Sequence, residues 1–364
     1  MKSASIIFLL INISFHSQAQ YIFDQAKYDS LLIHKFKNSS RVIDYLPKGF
    51  VEDGSVDYTD FLLEAIKNDS CLIFPDFPLL IQVSKVRIKS NTSWLFNKNS
   101  QLIAVPNDRS AYRLLTIDSV SDVELFNLVL IGDRDEHFSS VGQWGNGLSI
   151  KRADNIKIIG LRADSFFGDG IYIGSDSKNI YLKNISLDRN RRNGISIISA
   201  VNLVLENILV SNTGGHNPQS GIDIEPNNHS DRLVNIKLIN VVTKNSVNHG
   251  LIISLGNLAS SKINEIDISV IGHQDYHSKI ALGISLSRSK PGPYENIRGN
   301  ISLEKLTYFD NPIFIKNYTR FPHKVIFDVG TLNFLKRSDN VNMSLASEVS
   351  DILNRTGRDK MEIK

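Results

Sequence analysis

Two carboxyl residues stand two positions apart in the segment Gly221-Ile-Asp-Ile-Glu-Pro226. If this segment is a β-strand, Asp223 and Glu225 lie on the same side of it, with Cα atoms ~6.7 Å apart. Two carboxyl groups whose surroundings separate their pKa values can act as acid and base in the hydrolysis of a glycosidic bond. The alternative is a solvated strand face, where most charged side chains are found. The sequence leaves both interpretations open.

Further candidates hold equivalent positions around other glycines. Asp169 and His249 each stand directly before a glycine that is followed by an apolar, a variable and an apolar residue, and Tyr172 stands two residues after one. His249 can act as a general acid or base, and so can His216 in the inserted segment 212–220, which is expected to overhang the same face. Tyr172 can be interpreted as a proton donor, as a ring on which a sugar stacks or as an ordinary surface aromatic. The alternative for His216 is a polar loop residue.

Three arginines, Arg189, Arg191 and Arg192, enter just before the glycine at position 194. A guanidinium group binds a carboxylate or a sulfate through two parallel hydrogen bonds, so Arg191 and Arg192 are expected to hold an acidic sugar. Ion pairing with nearby aspartates is the alternative, and the two roles are compatible. Trp144 is a candidate for stacking on a sugar ring. Asp, Glu and Asn side chains would suit calcium, but no ligand spacing specifies it, so no cofactor is predicted.

The elements that position these residues follow from one repeated phrase, a glycine followed by an apolar, a variable and an apolar residue. The phrases are 23, 24, 27 and 29 residues apart, and they begin at Gly147, Gly170, Gly194, Gly221 and Gly250. A period of this length, with strand alternation and no helical pattern, indicates a repeat architecture whose units must stack to bury their apolar faces. The sequence therefore predicts a parallel β-helix with three short strands and three bends per coil.

Two further regularities are expected from this stacking. One apolar position recurs in successive phrases and should form a single buried column, made of Ile171, Ile195, Ile222 and Leu251. Asparagine recurs at another position, where it tolerates the left-handed backbone of a bend. These asparagines are expected to form an internal ladder of amides with a structural role, and they are Asn127, Asn184, Asn207 and Asn240, with Gly160 as the exception.

The predicted organisation has four parts: a signal peptide (1–19), an N-terminal extension (20–52), a β-helix with an N-terminal capping helix (53–336) and a C-terminal tail (337–364) with a helix over 345–353. The positive residue Lys2, an apolar run and the small-residue site Ser17-Gln18-Ala19 together indicate a cleavable secretory signal. Thr59 or Asp60 is expected to cap the short capping helix at its N-terminus. The protein is therefore expected in the periplasm or outside the cell.

The composition excludes several classes of partner. The chain has 41 Lys and Arg residues against 38 Asp and Glu residues, and its net charge of +3 is too small to indicate nucleic acid or a membrane surface. No segment after the signal offers an apolar stretch long enough to span a bilayer. Cys71 is the only cysteine, so no intrachain disulfide can form. The sequence does not indicate an oligomeric state.

The run from Asp53 to Phe96, followed by the coils, resembles the amino-terminal part of pectate-lyase-like right-handed β-helix proteins, the pectin lyase fold. The features that carry the resemblance are an Asp-Gly helix cap at Asp53-Gly54 and an aliphatic–proline strand at Cys71-Leu-Ile-Phe-Pro75. The resemblance covers about residues 50–330. It implies a protein that acts on polysaccharide by hydrolysis, elimination or uronate epimerisation, and it does not distinguish these because the fold hosts many reactions.

The resemblance to one branch, the polygalacturonases, is incomplete. Phe167-Gly-Asp-Gly-Ile-Tyr-Ile173 is similar to their first aspartate-bearing coil, and Asn248-His-Gly-Leu-Ile-Ile253 is similar to their His-Gly coil. The coil between them should offer two adjacent aspartates, but here it has Arg192-Asn193, and the His-Gly phrase stands one coil late. Their mechanism is therefore not transferred. The Arg191–Ile197 phrase, with the 221–226 phrase one coil on, resembles an uncharacterised bacterial subgroup.

The sequence hypothesis is a secreted or periplasmic glycoside hydrolase acting on an acidic, uronate-containing polysaccharide. Asp223 and Glu225 are its acid and base, with Asp169 and His249 beside them. The first alternative is a polysaccharide lyase or a uronate C5-epimerase, in which an arginine or calcium neutralises the sugar carboxylate and Tyr172 or a histidine removes the adjacent proton. The second alternative is a non-catalytic glycan-binding or envelope solenoid.

Overall fold

The computed structural model describes residues 32–335 together with 349, 353, 354, 362 and 363, so the predicted signal peptide lies outside the described residues. The chain separates into two units, 1–38 and 39–364. In the first unit, residues 32–36 are helical. The second unit contains all of the repeats. No helix in the described ranges combines the length and the apolar character needed to cross a membrane.

The second unit is built mainly of short strands. The first thirteen are β1 (Ser40–Arg41), β2 (Cys71–Ile73), β3 (Pro78–Ile81), β4 (Val86–Ile88), β5 (Thr92–Leu95), β6 (Gln101–Ala104), β7 (Ala111–Asp118), β8 (Ser121–Ile131), β9 (Trp144–Lys151), β10 (Asp154–Asp164), β11 (Ile171–Gly174), β12 (Ser177–Asp188) and β13 (Asn193–Ile197). The others are β14 (Ala200–Ser211), β15 (Ser220–Ile224), β16 (Leu233–Lys244), β17 (His249–Ser254), β18 (Asn264–Ile271), β19 (Gln274–Tyr276), β20 (Ile280–Ser285), β21 (Ile297–Glu304), β22 (Leu306–Phe309), β23 (Ile313–Asn317), β24 (Lys324–Val329), β25 (Leu332–Leu335) and β26 (Glu362–Ile363).

The strands form two long sheets, one of sixteen and one of ten strands among the described residues. The smaller sheet runs in the order β4, β7, β9, β11, β13, β15, β17, β20, β23 and β26. Each strand pairs in parallel with the equivalent strand of the next coil, except that β26 pairs antiparallel with β23. This is the predicted right-handed parallel β-helix, and the smaller sheet carries the glycine phrases.

The predicted core column is confirmed. Ile171 pairs with Ile195, Ile195 with Ile222 and Ile222 with Leu251, and all four side chains are fully buried. The phrase glycines stack beside this column, and a side chain larger than hydrogen would not fit at their positions. A Cβ at Gly194 would lie 2.6 Å from the carbonyl oxygen of the next phrase glycine, and the other stacked glycines are comparably close. The repeat therefore reflects close approach of successive coils.

Two of the three strands predicted for each central coil run together as one long strand. β10, β12, β14 and β16 each bend at the recurrent asparagine or glycine, where φ is between 54° and 73°. The amides form the predicted ladder, since Asn207 donates to Asn184 over 3.1 Å and Asn240 donates to Asn207 over 3.4 Å. The ladder is not internal, however. It lies on the surface, because the bend turns these side chains outward while the flanking apolar residues face the core.

A short helix, α1 (Thr59–Asn68), precedes the first coils and buries Leu62, Ala65 and Ile66. The predicted cap at Thr59 or Asp60 is wrong, because the N-cap residue is Tyr58 and it makes no side-chain capping bond. Instead, Oδ1 of Asp57 accepts the Thr59 N–H over 2.9 Å. Regular structure begins earlier than the expected boundary at residue 53, since β1 pairs in parallel with β2. Short 3-10 helices occur at Val42–Tyr45, Gly256–Leu258 and Tyr294–Asn296.

The later coils keep the parallel pairing while their sequence pattern changes. Gly283 pairs with Ile252, which stands two positions after the phrase glycine Gly250. The glycine phrase at 283 is thus offset from the others. The helix predicted over 345–353 lies mostly outside the described residues. Within that range Val349 and Leu353 are helical and buried.

Candidate functional site

The residue directly before each phrase glycine belongs to one buried column, made of Asn146, Asp169, Asn193, Ser220 and His249. The side-chain oxygen of one member accepts the backbone N–H of the next. Asn146 Oδ1 accepts from Asp169 over 3.2 Å, Asp169 Oδ1 from Asn193 over 3.2 Å, and Asn193 Oδ1 from Ser220 over 3.1 Å. These side chains therefore link successive coils, and Asp169 occupies a place that an amide fills in the neighbouring coils.

Asp169 is also paired with Arg192. Nη1 of Arg192 lies 3.1 and 3.0 Å from the two carboxylate oxygens, and Ser196 Oγ donates to Oδ2 over 2.9 Å. The carboxylate is fully buried and the arginine side chain is 16% exposed. Burial raises the pKa of Asp169, and the guanidinium of Arg192 opposes that rise. The ion-pairing interpretation of Arg192 thus describes its contacts in this structure.

Asp223 lies beside this pair and is only 2% exposed. Asn193 Nδ2 donates to its Oδ2 over 3.2 Å. Burial raises the pKa of Asp223 well above its ordinary value, and the nearby charge of Glu225 adds to the rise. The alternative of a solvated strand face is therefore wrong for Asp223. The backbone of Asp223 pairs with Ser196 and Ile252 of the two adjacent coils, and the side chain of Asn193 from one of these coils contacts it.

Glu225 and His249 line a groove of about 510 Å³, called here the histidine groove. Its other lining residues include Ser254, Asn257, Ser285, Arg288, Tyr318 and Arg320, and it does not include Asp169 or Asp223. Glu225 is half-buried. The acid–base candidates are thus brought into one region, with Glu225 and His249 at the groove surface and the two aspartates behind it.

His249 is held against Tyr318, with Nε2 3.0 Å from the phenol oxygen. Burial, with the charges of Lys279 and Lys316, lowers the pKa of His249 to about 4. Gly283 makes this arrangement possible, since a Cβ there would lie 2.7 Å from the imidazole Cδ2. At neutral pH the histidine is therefore an uncharged imidazole.

Tyr318, Arg288 and Arg320 were missed by the sequence reasoning. Tyr318 directly follows β23, and Arg288 lies three residues after β20, in coils where the repeated phrase loosens. The available signal was their position just beyond the ends of β20 and β23. It was not decisive because the offset of Gly283 hides which residues of these coils align with His249.

Arg191 and Arg192 are adjacent in the chain but make contacts in different places. Arg191 Nη1 donates to the Gly142 carbonyl over 2.8 Å, and its guanidinium lies 4.1 Å from the centre of the Phe167 ring. It lines a second groove of about 340 Å³, called here the arginine groove, whose other lining residues include Arg134, His137, Phe138, Phe167 and Gly215. The inserted segment 212–220 packs here, and His216 donates its backbone N–H to the Arg191 carbonyl over 2.8 Å.

The remaining predicted residues lie outside the histidine groove. Arg189 forms an exposed ion pair with Asp135 over 2.6 Å. Trp144 begins β9 and is 47% exposed. Tyr172 lies on the smaller sheet with Lys151 Nζ 4.9 Å from its ring centre, and burial raises its pKa. The described residues contain no group of three His, Cys, Asp or Glu side chains able to hold a metal ion.

Comparison with known proteins gives distant sequence relatives. No protein-family model matches the sequence. The chain is 28% identical over 196 residues to the uncharacterized protein YclG of Bacillus subtilis strain 168, covering 49% of this chain and 32% of that protein. It is 26% identical over 161 residues to the SPbeta prophage-derived uncharacterized protein YorA of the same organism, covering 38% and 28%. The matched segment thus spans about a third of the length of these relatives.

Similar solved structures share the fold at low sequence identity. They include a family 28 exopolygalacturonase of Yersinia enterocolitica (TM-score 0.58, 12% identity, 84% of this chain and 67% of that one). They also include the tailspike protein gp49 of Acinetobacter baumannii bacteriophage Fri1, a capsular polysaccharide depolymerase (TM-score 0.55, 14% identity, 88% of this chain and 67% of that one). A third is the A-module of the Azotobacter vinelandii mannuronan C-5 epimerase AlgE4 (TM-score 0.50, 12% identity, 83% of this chain and 92% of that one). The chain therefore has the pectate-lyase-like right-handed parallel β-helix fold.

Proposed function

We propose that the protein is a glycoside hydrolase that cleaves an acidic polysaccharide in the histidine groove. The observation that carries the proposal is the pairing of two unlike carboxyl groups on β15 and just beyond it. Glu225 lines the groove, whereas Asp223 is buried behind it with a raised pKa. Neighbouring carboxyl groups that differ in this way can hold one proton between them and act as acid and base.

In the proposed reaction, Asp223 gives its proton to the glycosidic oxygen as the bond to the anomeric carbon breaks. Glu225 takes a proton from the water that attacks that carbon, so the two carboxyl groups exchange protonation states. Because only 2% of Asp223 is exposed, substrate binding must open access to its carboxyl group. Catalytic contacts of this kind often tighten only when the substrate is bound.

Two features support an acidic polysaccharide as the substrate. Arg288 and Arg320 line the same groove as Glu225, and guanidinium groups bind sugar carboxylates bidentately. The groove volume, about 510 Å³, is within the range of small-ligand sites. Proteins of similar fold include one described as a capsular polysaccharide depolymerase and one described as an exopolygalacturonase.

The predicted signal peptide supports a periplasmic or secreted location.

A second candidate function is elimination or C5-epimerisation of a uronate, and His249 favours it. Its pKa of about 4 leaves a neutral imidazole that can remove the proton next to a sugar carboxylate, and the adjacent Tyr318 hydroxyl can supply a proton. Arg288 and Arg320 would neutralise the carboxylate. This chemistry uses the same groove and does not need Asp223.

One experiment separates these functions. The purified protein is incubated with a panel of neutral, uronate-containing and sulfated polysaccharides, and new reducing ends and the ultraviolet absorbance of unsaturated uronate are followed together. Reducing ends without absorbance are expected. Absorbance together with reducing ends would replace hydrolysis by elimination. Retention on a glycan column with neither signal would leave a C5-epimerase or a glycan-binding solenoid, and proton NMR of the recovered glycan distinguishes these two because only an epimerase changes its uronate residues.

A further inference from the structure

The arginine groove lies apart from the residues assigned to catalysis. It is formed by the loop between β8 and β9, the bend before β13 and the inserted segment before β15. None of its lining residues lines the histidine groove. Its volume of about 340 Å³ falls at the lower end of the range for small-ligand sites, which suits one sugar residue of a chain.

Two guanidinium groups are fixed in this groove by neutral partners. Arg134 Nη2 donates to the Gly214 carbonyl over 2.7 Å, and Arg191 donates to the Gly142 and Ser140 carbonyls over 2.8 and 3.3 Å. Neither arginine forms an ion pair with a carboxylate in the described part of the chain, in contrast to Arg189 and Arg192. Backbone carbonyls orient a guanidinium without cancelling its charge.

The two arginines also lie close together. The position that a Cβ would take at Gly215 is 2.9 Å from Arg191 Cγ and 3.3 Å from Arg134 Nη2, so both side chains border this glycine. Burial and the charge of Arg134 lower the pKa of Arg191. Asp135 also lines the groove and offsets part of the charge of Arg134, as Asp188 does, and the Oδ2 of Asp135 accepts a hydrogen bond from Arg189. A bound anion would relieve the repulsion between Arg134 and Arg191.

A third side chain in the groove has an unused hydrogen-bonding atom. The His137 side chain is 1% exposed, and its Nδ1 lies 2.7 Å from Asp133 Oδ2. Asp133 also accepts a hydrogen bond from the Tyr112 hydroxyl, which orients it. Because Asp133 accepts the proton on Nδ1, the neutral imidazole presents a lone pair at Nε2, and this buried atom has no partner among the described residues. A buried acceptor of this kind is normally satisfied by a ligand or a water molecule.

We propose that the arginine groove is a second glycan-binding site, in which a sugar carboxylate or sulfate lies between Arg134 and Arg191 and a sugar hydroxyl donates to His137 Nε2. Phe138, which is 75% exposed at the rim, offers a surface on which the next sugar ring packs. The inference rests on the proposed function only in taking a glycan as the ligand. It requires no cleavage, and it predicts that binding survives the loss of Glu225.

The test is a titration calorimetry series with three trisaccharide-sized probes: a uronate oligomer, a sulfated dextran fragment and the same dextran without sulfate. Arg191→Gln should weaken binding of the preferred charged probe at least about tenfold and flatten its salt dependence. Arg191→Lys keeps the charge and should weaken binding less. Arg152→Gln, which removes the same charge from an exposed ion pair with Asp118, should bind within about twofold of wild type. The preferred probe distinguishes a carboxylate site from a sulfate site.

Glu225→Gln separates failure of this inference from failure of the proposed function. If Glu225→Gln abolishes binding while both Arg191 variants bind like wild type, glycan binds only in the histidine groove and the second site is overturned. If Arg191→Gln and Arg152→Gln weaken binding of the charged probe equally, the loss reflects only the change in net charge, and the second site is overturned. Equal affinity for all three probes would overturn it as well. Loss of cleavage in Glu225→Gln with binding retained, together with weaker binding in Arg191→Gln, would support both proposals.

Discussion

The side-chain nitrogen of Asn193 lies 3.2 Å from Oδ2 of Asp223. The orientation of this amide is fixed because its oxygen accepts the Ser220 N–H over 3.1 Å. Oδ2 of Asp223 is therefore an acceptor, and when Asp223 is protonated the proton is placed on Oδ1. The hydrogen bond from Asn193 lowers the pKa of Asp223 and so opposes part of the rise that burial and Glu225 cause, whereas a second carboxylate at position 193 would add to that rise.

Substitution of the carboxyl pair tests the proposed catalytic role. Glu225→Gln and Asp223→Asn keep the size of each side chain and should lower the rate of hydrolysis roughly 10²- to 10⁴-fold. Glu225→Gln should change the free energy of unfolding by no more than ~0.5 kcal/mol, because the residue is half-buried at a groove. Glu265→Gln, an exposed substitution on the other sheet, is the control and should keep full activity. Full activity of both carboxyl variants on the true substrate would move the chemistry to His249 and Tyr318.

The effect of Asp223→Asn on stability should depend on pH. The folded-state pKa of Asp223 is raised above its unfolded value, so its contribution to stability is present below pH ~3.9 and is lost as pH rises through the folded pKa. Asparagine does not titrate. The melting temperature of Asp223→Asn minus that of wild type should therefore increase from pH 4 to pH 8. A difference that stays constant over this range would contradict the raised pKa.

The pH dependence of the rate distinguishes hydrolysis from elimination. Hydrolysis needs a protonated Asp223, so kcat should fall as pH rises through the raised pKa of this group. Elimination needs a neutral His249, whose pKa is about 4, so kcat should rise through about pH 4 and then stay level. The measurement is an initial-rate profile from pH 3 to pH 9. Loss of activity at the alkaline end supports hydrolysis, and a plateau there supports elimination.

A double-mutant cycle tests the Asp169–Arg192 pair. Asp169→Asn leaves a largely buried guanidinium without its carboxylate and should cost roughly 3–5 kcal/mol in the free energy of unfolding. Arg192→Met combined with Asp169→Asn removes both charges and should recover most of that loss. Urea denaturation of the four proteins measures the coupling. Additive effects would mean that the two side chains do not stabilise each other.

The exposed amide ladder provides a test of the bends. Asn207 has φ of 58° and is bonded to amides of the coils on both sides. Asn207→Ala should cost roughly 1–3 kcal/mol, because alanine loses the amide bonds and is strained at positive φ. Asn207→Gly loses the same bonds without the strain, so the difference between the variants measures the backbone term. Equal unfolding free energies for the two variants would show that asparagine is required at position 207 for its amide hydrogen bonds and not for its tolerance of positive φ.

The fold could be predicted from the sequence because two local signals reinforce each other. Alternation places Ile195 and Ile222 inward, and the phrase glycines mark the close approach of coils, so the register of these strands follows from the residue pattern alone. The covering of Asp223 could not be predicted, since it depends on side chains from adjacent coils. The separation of Arg191 from Arg192 depends on loop conformation at 132–143, which no periodicity describes. Tyr318 was missed because the glycine at 283 breaks the alignment of the later coils.

The column before the phrase glycines limits which substitutions the coils accept. Asn146, Asp169 and Asn193 perform the same structural task, since an amide oxygen and a carboxylate oxygen accept the next coil's N–H equally well. Exchanging one for the other keeps the bond to the next coil but changes a buried charge, so the exchange is costly wherever a partner such as Arg192 faces that position. A charge in this column is therefore expected to change in pairs, with a carboxylate in one coil and a cation in the next, as Asp169 and Arg192 show.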